Sequence, residues 1–442
     1  MATLKTGNKT DMAHAQRQRS DLMVWLTLLA AGMVATVLAV ATDARLDSAA
    51  PPFLGRYELA WVPASMAAPI VAATVLLVAR TRWAQRASWR RILVLAYLGS
   101  AAWLVGLAQS QPNGLTAYLT NRDGYLPQAD SIGTLPELFA TFGNTDSLHS
   151  SSVTGHPPGT VVMVWLLNSL PMSHTAAALV WIAFGALSVP LILSVARTTC
   201  GHVAARALAP VLVLAPYGIW IAVGPEGLTI TVAAAGLAAA NHASHHRQSG
   251  WSAAIWALVA GLLLAAATMF AYITAWFGLS VACLYFARRR PFHNLATGLG
   301  ALLPFIAFQL AGFDWTASLL SAYEGYLSRV DDDRSVGWWI VLSLVVALFA
   351  MGPAIVASLR KTRNTPAWPF LIGSGAAVMF SICMGIARGG VEETWLPLFP
   401  WLMIAATAPQ RPAGRPVPAP LLLAGGGAVA AIILQSVLVS PW

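Results

Sequence analysis

Apolar runs of membrane-crossing length recur along this chain, at 22–42, 60–79, 92–109, 174–197, 206–224, 226–241, 252–267, 269–287, 294–312, 337–358, 368–387, 395–408 and 420–440. A helix needs about 20 residues to cross a hydrocarbon core of about 30 Å. In lipid only helices and closed barrels satisfy every backbone N–H and C=O internally. The pattern predicts an all-α, polytopic membrane protein with about thirteen transmembrane helices. Of the 442 residues 57% are hydrophobic and only 10% charged, too little charge to clothe a soluble domain of this length. The sequence divides into a cytoplasmic tail and extra hairpin over 1–91, a transmembrane core over 92–408 with a long outer loop over 110–173, and a linker with a last helix over 409–442.

One apolar piece breaks the pattern. Pro158 to Leu170 is only 13 residues long, short for a crossing, and Pro158 suits a helix's first turn. It is expected to lie along the outer interface, which sets the parity of everything after it. With the N-terminus inside, the inner segments then carry 20 of the 26 basic residues, among them Arg86, Arg289 and Arg360. All but two of the 17 acidic residues fall outside or at its edge. The net charge of +9 therefore reads as positive-inside loop charge and not as a nucleic-acid surface. Cys200, Cys283 and Cys383 form no CxxC pair and no zinc spacing.

Chemistry is expected where carboxylates meet the membrane surface. The outer interval Gln111–Pro158 is the longest water-compatible stretch and holds Asp123 and Asp130. Either suits a general base, because partial desolvation raises a carboxylate's basicity; the plainer reading is a hydrated acidic loop. His156-Pro157-Pro158-Gly159 forms a rigid entry to the short helix, so His156 either faces a lipid phosphate or wedges the loop. Arg388, one of six outer basic residues, matches phosphate as a planar fork; in the same turn Glu392, Glu393 and Trp395 make a polar helix mouth or an aromatic anchor. Tyr323 and Tyr326 precede the acidic triplet Asp331–Asp333, which suits a divalent cation or a solvated turn. No metal site is otherwise expected. No phosphate loop, nucleotide motif or HExxH occurs, and the span interiors hold almost no ionisable residue, which disfavours an ion-coupled carrier.

These motifs resemble the GT-C superfamily of polytopic glycosyltransferases. The resemblance lies in the acidic outer loop after an early helix, the His-Pro-Pro-Gly opening of a short helix, and a helix ending in Ala196-Arg197. Gly312-Phe313-Asp314-Trp315 and Glu392-Glu393-Thr394-Trp395-Leu396-Pro397 look similar to multispanning actinobacterial proteins of that superfamily. It covers roughly residues 92 to 408. It implies a bacterial plasma-membrane enzyme that moves a sugar from a polyprenyl-phosphate donor to an outer-leaflet or cell-envelope acceptor. The implied mechanism is an inverting single displacement with Asp123 or Asp130 as base, and with His156, Arg388, Glu392 and Tyr323 toward the donor. The chain departs from the paired-acid form of the family, since neither aspartate is followed by a second acid. A lipid or lipid-linked sugar carrier without covalent chemistry is the alternative from another class.

Overall fold

The computed structural model describes residues 2–59, 62–110, 114–117, 119, 133–134, 157–222, 224–408 and 420–439. Asp123, Asp130 and His156 lie outside the described residues. The fold is all-α. Its principal helices are α1 (Ala2–Ala41), α2 (Ala67–Arg80), α3 (Trp89–Ala108), α4 (Gly159–Asn168), α5 (His174–Cys200), α6 (His202–Val213), α7 (Glu226–Ala243), α8 (Gly250–Thr268), α9 (Phe277–Ala287), α10 (His293–Leu310), α11 (Trp315–Val330), α12 (Val336–Met351), α13 (Ala354–Leu359), α14 (Trp368–Cys383) and α15 (Leu421–Val437). The one piece of sheet among the described residues is a two-residue antiparallel bridge, Arg56–Tyr57 against Leu438–Val439.

The described helix lengths support fewer full crossings by themselves than the thirteen apolar runs. Five described helices are each long and apolar enough to span alone: Ala15–Ala41, Pro63–Arg80, Trp89–Ala108, His174–Cys200 and Gly250–Thr268. By length and composition a sixth is added among the described residues if α10 and α11, bent by 80°, count as one broken span. Proline and glycine explain much of the shortfall. The 206–224 run ends as a helix at Val213 and continues as a 3-10 turn from Pro216, and the 337–358 run breaks at Gly352-Pro353, between α12 and α13. The run at 395–408 forms only the 3-10 turn Leu396–Leu398 and the helix Phe399–Met403, because Pro397 and Pro400 each remove a backbone donor. Large apolar side chains such as Val37, Leu77, Ile255, Leu302 and Ile306 face outward, as expected of a surface solvated by lipid.

Long-range contacts sort the loops into two ends. At one end Arg197 lies over the Trp89 ring at 4.9 Å, which pairs the start of α3 with the end of α5 and makes them antiparallel. Arg206 donates to the carbonyls of Ala84, Gln85 and Ala87, Arg288 to Asn241 and Ser244, and Arg360 to Asp21. At the other end Arg45 donates to the Asp332 carbonyl and Arg334 to Asp47. Because α3 leaves the first end and α5 returns to it, the segment between them starts and finishes at the second end. That return supports the non-crossing reading of the short helix. α4 is ten residues long, about 15 Å, half a hydrocarbon core. The Gly159 amide donates to the Met269 carbonyl at 2.7 Å, an approach so close that a Cβ at position 159 would collide with that oxygen.

The two ends carry an expected result. In a background without the three free cysteines, single cysteines at the exposed positions 86, 289 and 360 resist an impermeant maleimide added to intact cells, whereas one at 332 reacts. Position 130 is expected to react with it. Labelling at 289 but not at 332 would invert this topology.

Candidate active site

The second end gathers three loops around Arg388. Backbone geometry makes the turn: Gly385, Gly389 and Gly390 all have positive φ, at 70°, 97° and 72°. At Gly389 a Cβ would also sit 3.1 Å from Arg334 Nη1, Leu54 and Trp339, so the conformation favours glycine and the space left is tight. Side-chain hydrogen bonds then fix four carbonyls of the turn. Tyr323 donates to Met384 O at 3.1 Å, Tyr326 to Ile386 O at 2.9 Å, Ser343 to Ala387 O at 3.1 Å and Arg334 Nη1 to Arg388 O at 3.0 Å. Tyr323 and Tyr326 sit three apart on α11, so one helix face clamps the turn. Asp314 starts that helix by accepting from the amides of Thr316 and Ala317 at 2.9 Å.

Arg388 is 8% exposed. Its Nη1 donates to Asp331 Oδ1 at 2.6 Å, while its Nε has no hydrogen-bond partner among the described residues. Its amide donates to the Tyr326 hydroxyl at 3.2 Å. The guanidinium is thus fixed by its backbone and held by one exposed carboxylate, and its buried Nε is an unused donor among the described residues. Arg334 stands beside it. Its Nη2 and Nε reach Asp47 Oδ2 at 3.0 and 3.2 Å, and its guanidinium lies 5.7 Å from the Trp339 ring centre.

The structure places Glu392 differently from a polar helix mouth. It is 1% exposed, and neither carboxylate oxygen has a hydrogen bond of ordinary geometry among the described residues. Burial pushes its carboxyl up to about 7, against the weaker pull of its own amide, that of Leu54 and Arg334. Next to it Glu393 exchanges a hydrogen bond with the carboxyl of Glu226, the first residue of α7. Tyr323 is half-buried, with its hydroxyl used by the turn. The acidic triplet is not gathered for a cation: Asp331 is spent on Arg388, and no three His, Cys, Asp or Glu side chains stand close enough to hold a metal among the described residues.

The sequence leaves two partners of this site unassigned. Asp331 reads as one of three equivalent acids until the fold brings Arg388 to it across 57 positions. Glu226 reads as part of a Gly-Pro-Glu-Gly hairpin, and its only signal is that the charge parity puts it on the same face as Glu393. Elsewhere a small open cavity of about 30 Å³ lies between α4 and α5, lined by Val164, Leu167, Asn168, Met172, His174 and Trp181.

Two crystal structures of ArnT from Cupriavidus metallidurans match the chain in part. The apo structure aligns at 18% identity over 65% of this chain and 54% of that one, with a TM-score of 0.43. The structure with undecaprenyl phosphate bound aligns at 17% identity over 72% of this chain and 59% of that one, with a TM-score of 0.48. The match thus spans less than two thirds of ArnT in both. No family model matches the chain, and no curated protein does.

Proposed function

We propose that this protein is a membrane glycosyltransferase of the GT-C type, which moves a sugar from a polyprenyl-phosphate donor to an acceptor on the extracytoplasmic face. The buried Arg388, with one donor paired and one unused at a loop-rich end of an apolar bundle, is the observation that carries this reading. A lipid-linked phosphate enters from the membrane and needs no nucleotide site, in keeping with the missing nucleotide motifs.

The chemistry is a single displacement. The acceptor hydroxyl oxygen attacks the anomeric carbon and the bond from that carbon to the phosphate oxygen breaks, so the configuration inverts. The acceptor proton passes to Asp123 or Asp130. The electron pair leaves with the lipid phosphate, whose growing charge Arg388 and His156 stabilise. Asp331 and the Tyr326 hydroxyl hold Arg388 in place before the donor arrives.

Arg388→Ala is expected to weaken binding of a polyprenyl phosphate by about 1.5–3 kcal/mol, roughly 10- to 150-fold in Kd, since it removes charge-assisted hydrogen bonds. Arg388→Lys keeps the charge without the fork and recovers only part of the loss. The measurement is lipid binding to purified protein in detergent. An unchanged Kd in Arg388→Ala would remove the phosphate site from this loop.

A further inference from the structure

The loop from Asp43 to Glu58, between α1 and α2, belongs by sequence to a hairpin that precedes the core, yet it is tied across the outer end of the bundle. Apolar side chains seat it. Leu46 is buried in one cluster with Ala39, Trp339 and Leu342. Phe53 is 5% exposed, stacked on Trp220 at 6.0 Å and edge-on to Phe349 at 5.7 Å. Hydrogen bonds then fasten both ends of the loop. The Ser335 amide donates to the Arg45 carbonyl, Arg45 Nη1 to the Asp332 carbonyl and the Glu58 amide to the Val437 carbonyl, each at 2.8 Å.

Asp47 stands in this fastened stretch. Its φ of 45° is left-handed, a conformation that glycine, asparagine and aspartate take more readily than other residues. From there its Oδ2 accepts from both Nη2 and Nε of Arg334, at 3.0 and 3.2 Å. The remaining nitrogen, Nη1, donates to the Arg388 carbonyl at 3.0 Å. A guanidinium is planar and rigid, so fixing one edge fixes the direction of the other. Arg334 thereby connects the loop to the Arg388 turn, while Asp331, three residues before it, holds the Arg388 side chain at 2.6 Å. The backbone and the side chain of Arg388 are gripped from the same short segment, and that segment is braced by Asp47.

We propose that Asp47 is a positioning residue for the lipid-phosphate site: through Arg334 it holds the Arg388 carbonyl, and with it the direction of the Arg388 side chain. This rests on the phosphate reading of Arg388. Asp47 touches no reacting atom, and the N-terminal hairpin becomes part of the site instead of an addition to the core. Charge and position act in opposite directions here, which makes the role separable. The Asp47 side chain is 55% exposed, so its charge opposes an incoming phosphate only weakly through water and salt. By charge alone, removing it tightens phosphate binding; by position, removing it frees the turn and weakens binding.

Asp47→Gly removes the carboxylate and accepts the left-handed φ, so the loop keeps its path. Asp47→Asn tolerates the same φ and keeps an acceptor oxygen. Binding of a short-chain polyprenyl phosphate to the purified protein in detergent is expected to weaken roughly three- to tenfold in Asp47→Gly, the scale of one hydrogen bond, and to recover in part in Asp47→Asn. In an Arg388→Ala background Asp47→Gly changes nothing further, since the group it positions is gone, whereas a general loss of folding would add to the first defect. Hydrogen exchange without lipid reads the same contact: the amides of Ile386 to Gly390 exchange faster in Asp47→Gly and those of α5 do not. Unchanged exchange in the turn, an additive double variant, or unchanged or tighter binding in Asp47→Gly while Arg388→Ala loses the lipid would each overturn the positioning role and spare the phosphate site. Lipid binding that neither Asp47→Gly nor Arg388→Ala weakens would overturn both.

Discussion

Replacing the carboxylate that takes the acceptor proton lowers sugar transfer by roughly 10²- to 10⁴-fold, and one of Asp123→Asn and Asp130→Asn does so while the other does not. The amide keeps the size and polarity of the side chain but has no basic oxygen, so expression and donor binding stay within a small factor of the unaltered protein. That split between rate and binding is the signature of a group that acts only as charge moves in the transition state. Arg388→Ala gives the opposite split, with donor binding lost first. The assay is transfer from a short-chain polyprenyl-phosphate sugar in liposomes, alongside donor binding to each variant. Full transfer by both asparagine variants would remove the base from this loop. Labelled lipid crossing the bilayer with no sugar consumed would replace the enzyme with a carrier.

The distribution of charge made the two ends of the bundle legible before any coordinates. Arg197 and Trp89, or Arg360 and Asp21, meet because lysine and arginine collect on one face and the contacts follow. Arg388 was legible for the same reason, as one of few basic residues on the acidic face. Helix length was not legible. Hydropathy reports whether a segment suits lipid and not whether it stays helical, so the 395–408 run read as a crossing although Pro397 and Pro400 cut it into turns. The pairings within the site were also hidden. Arg334 reaches Asp47 across 287 positions, and Glu226 reaches Glu393 from another hairpin; both depend on how helices pack and on no local pattern. Glu392 shows the limit most sharply: its sequence neighbours mark a polar turn, and only tertiary packing makes it a buried carboxyl.

The largest effect on stability is expected far from the site, at Arg360. Asp21 is 3% exposed, and Arg360 meets it as a fork, with Nη1 to Oδ1 at 2.5 Å and Nη2 to Oδ2 at 2.9 Å. Removing one partner of a buried pair costs more than the pair contributes, because the other charge is left without compensation. Arg360→Ala strands the Asp21 carboxylate midway along α1, a helix that packs against α13. A fully buried pair would cost about 3–5 kcal/mol, but the Arg360 side chain is 38% exposed and water partly replaces it, so about 2–3 kcal/mol is expected. Lys361 limits the loss further: it donates to the Ala406 carbonyl, and burial lowers its ammonium to about 8, with Asp21 pulling the other way. Asp21→Ala strands the arginine, which can turn to water, and costs less. The double variant is therefore more stable than Arg360→Ala alone, since it removes the stranded carboxylate. Denaturant unfolding in detergent of the three variants measures this. Strict additivity, with Arg360→Ala unfolding like the unaltered protein, would show that the pair does not hold α1 to the bundle.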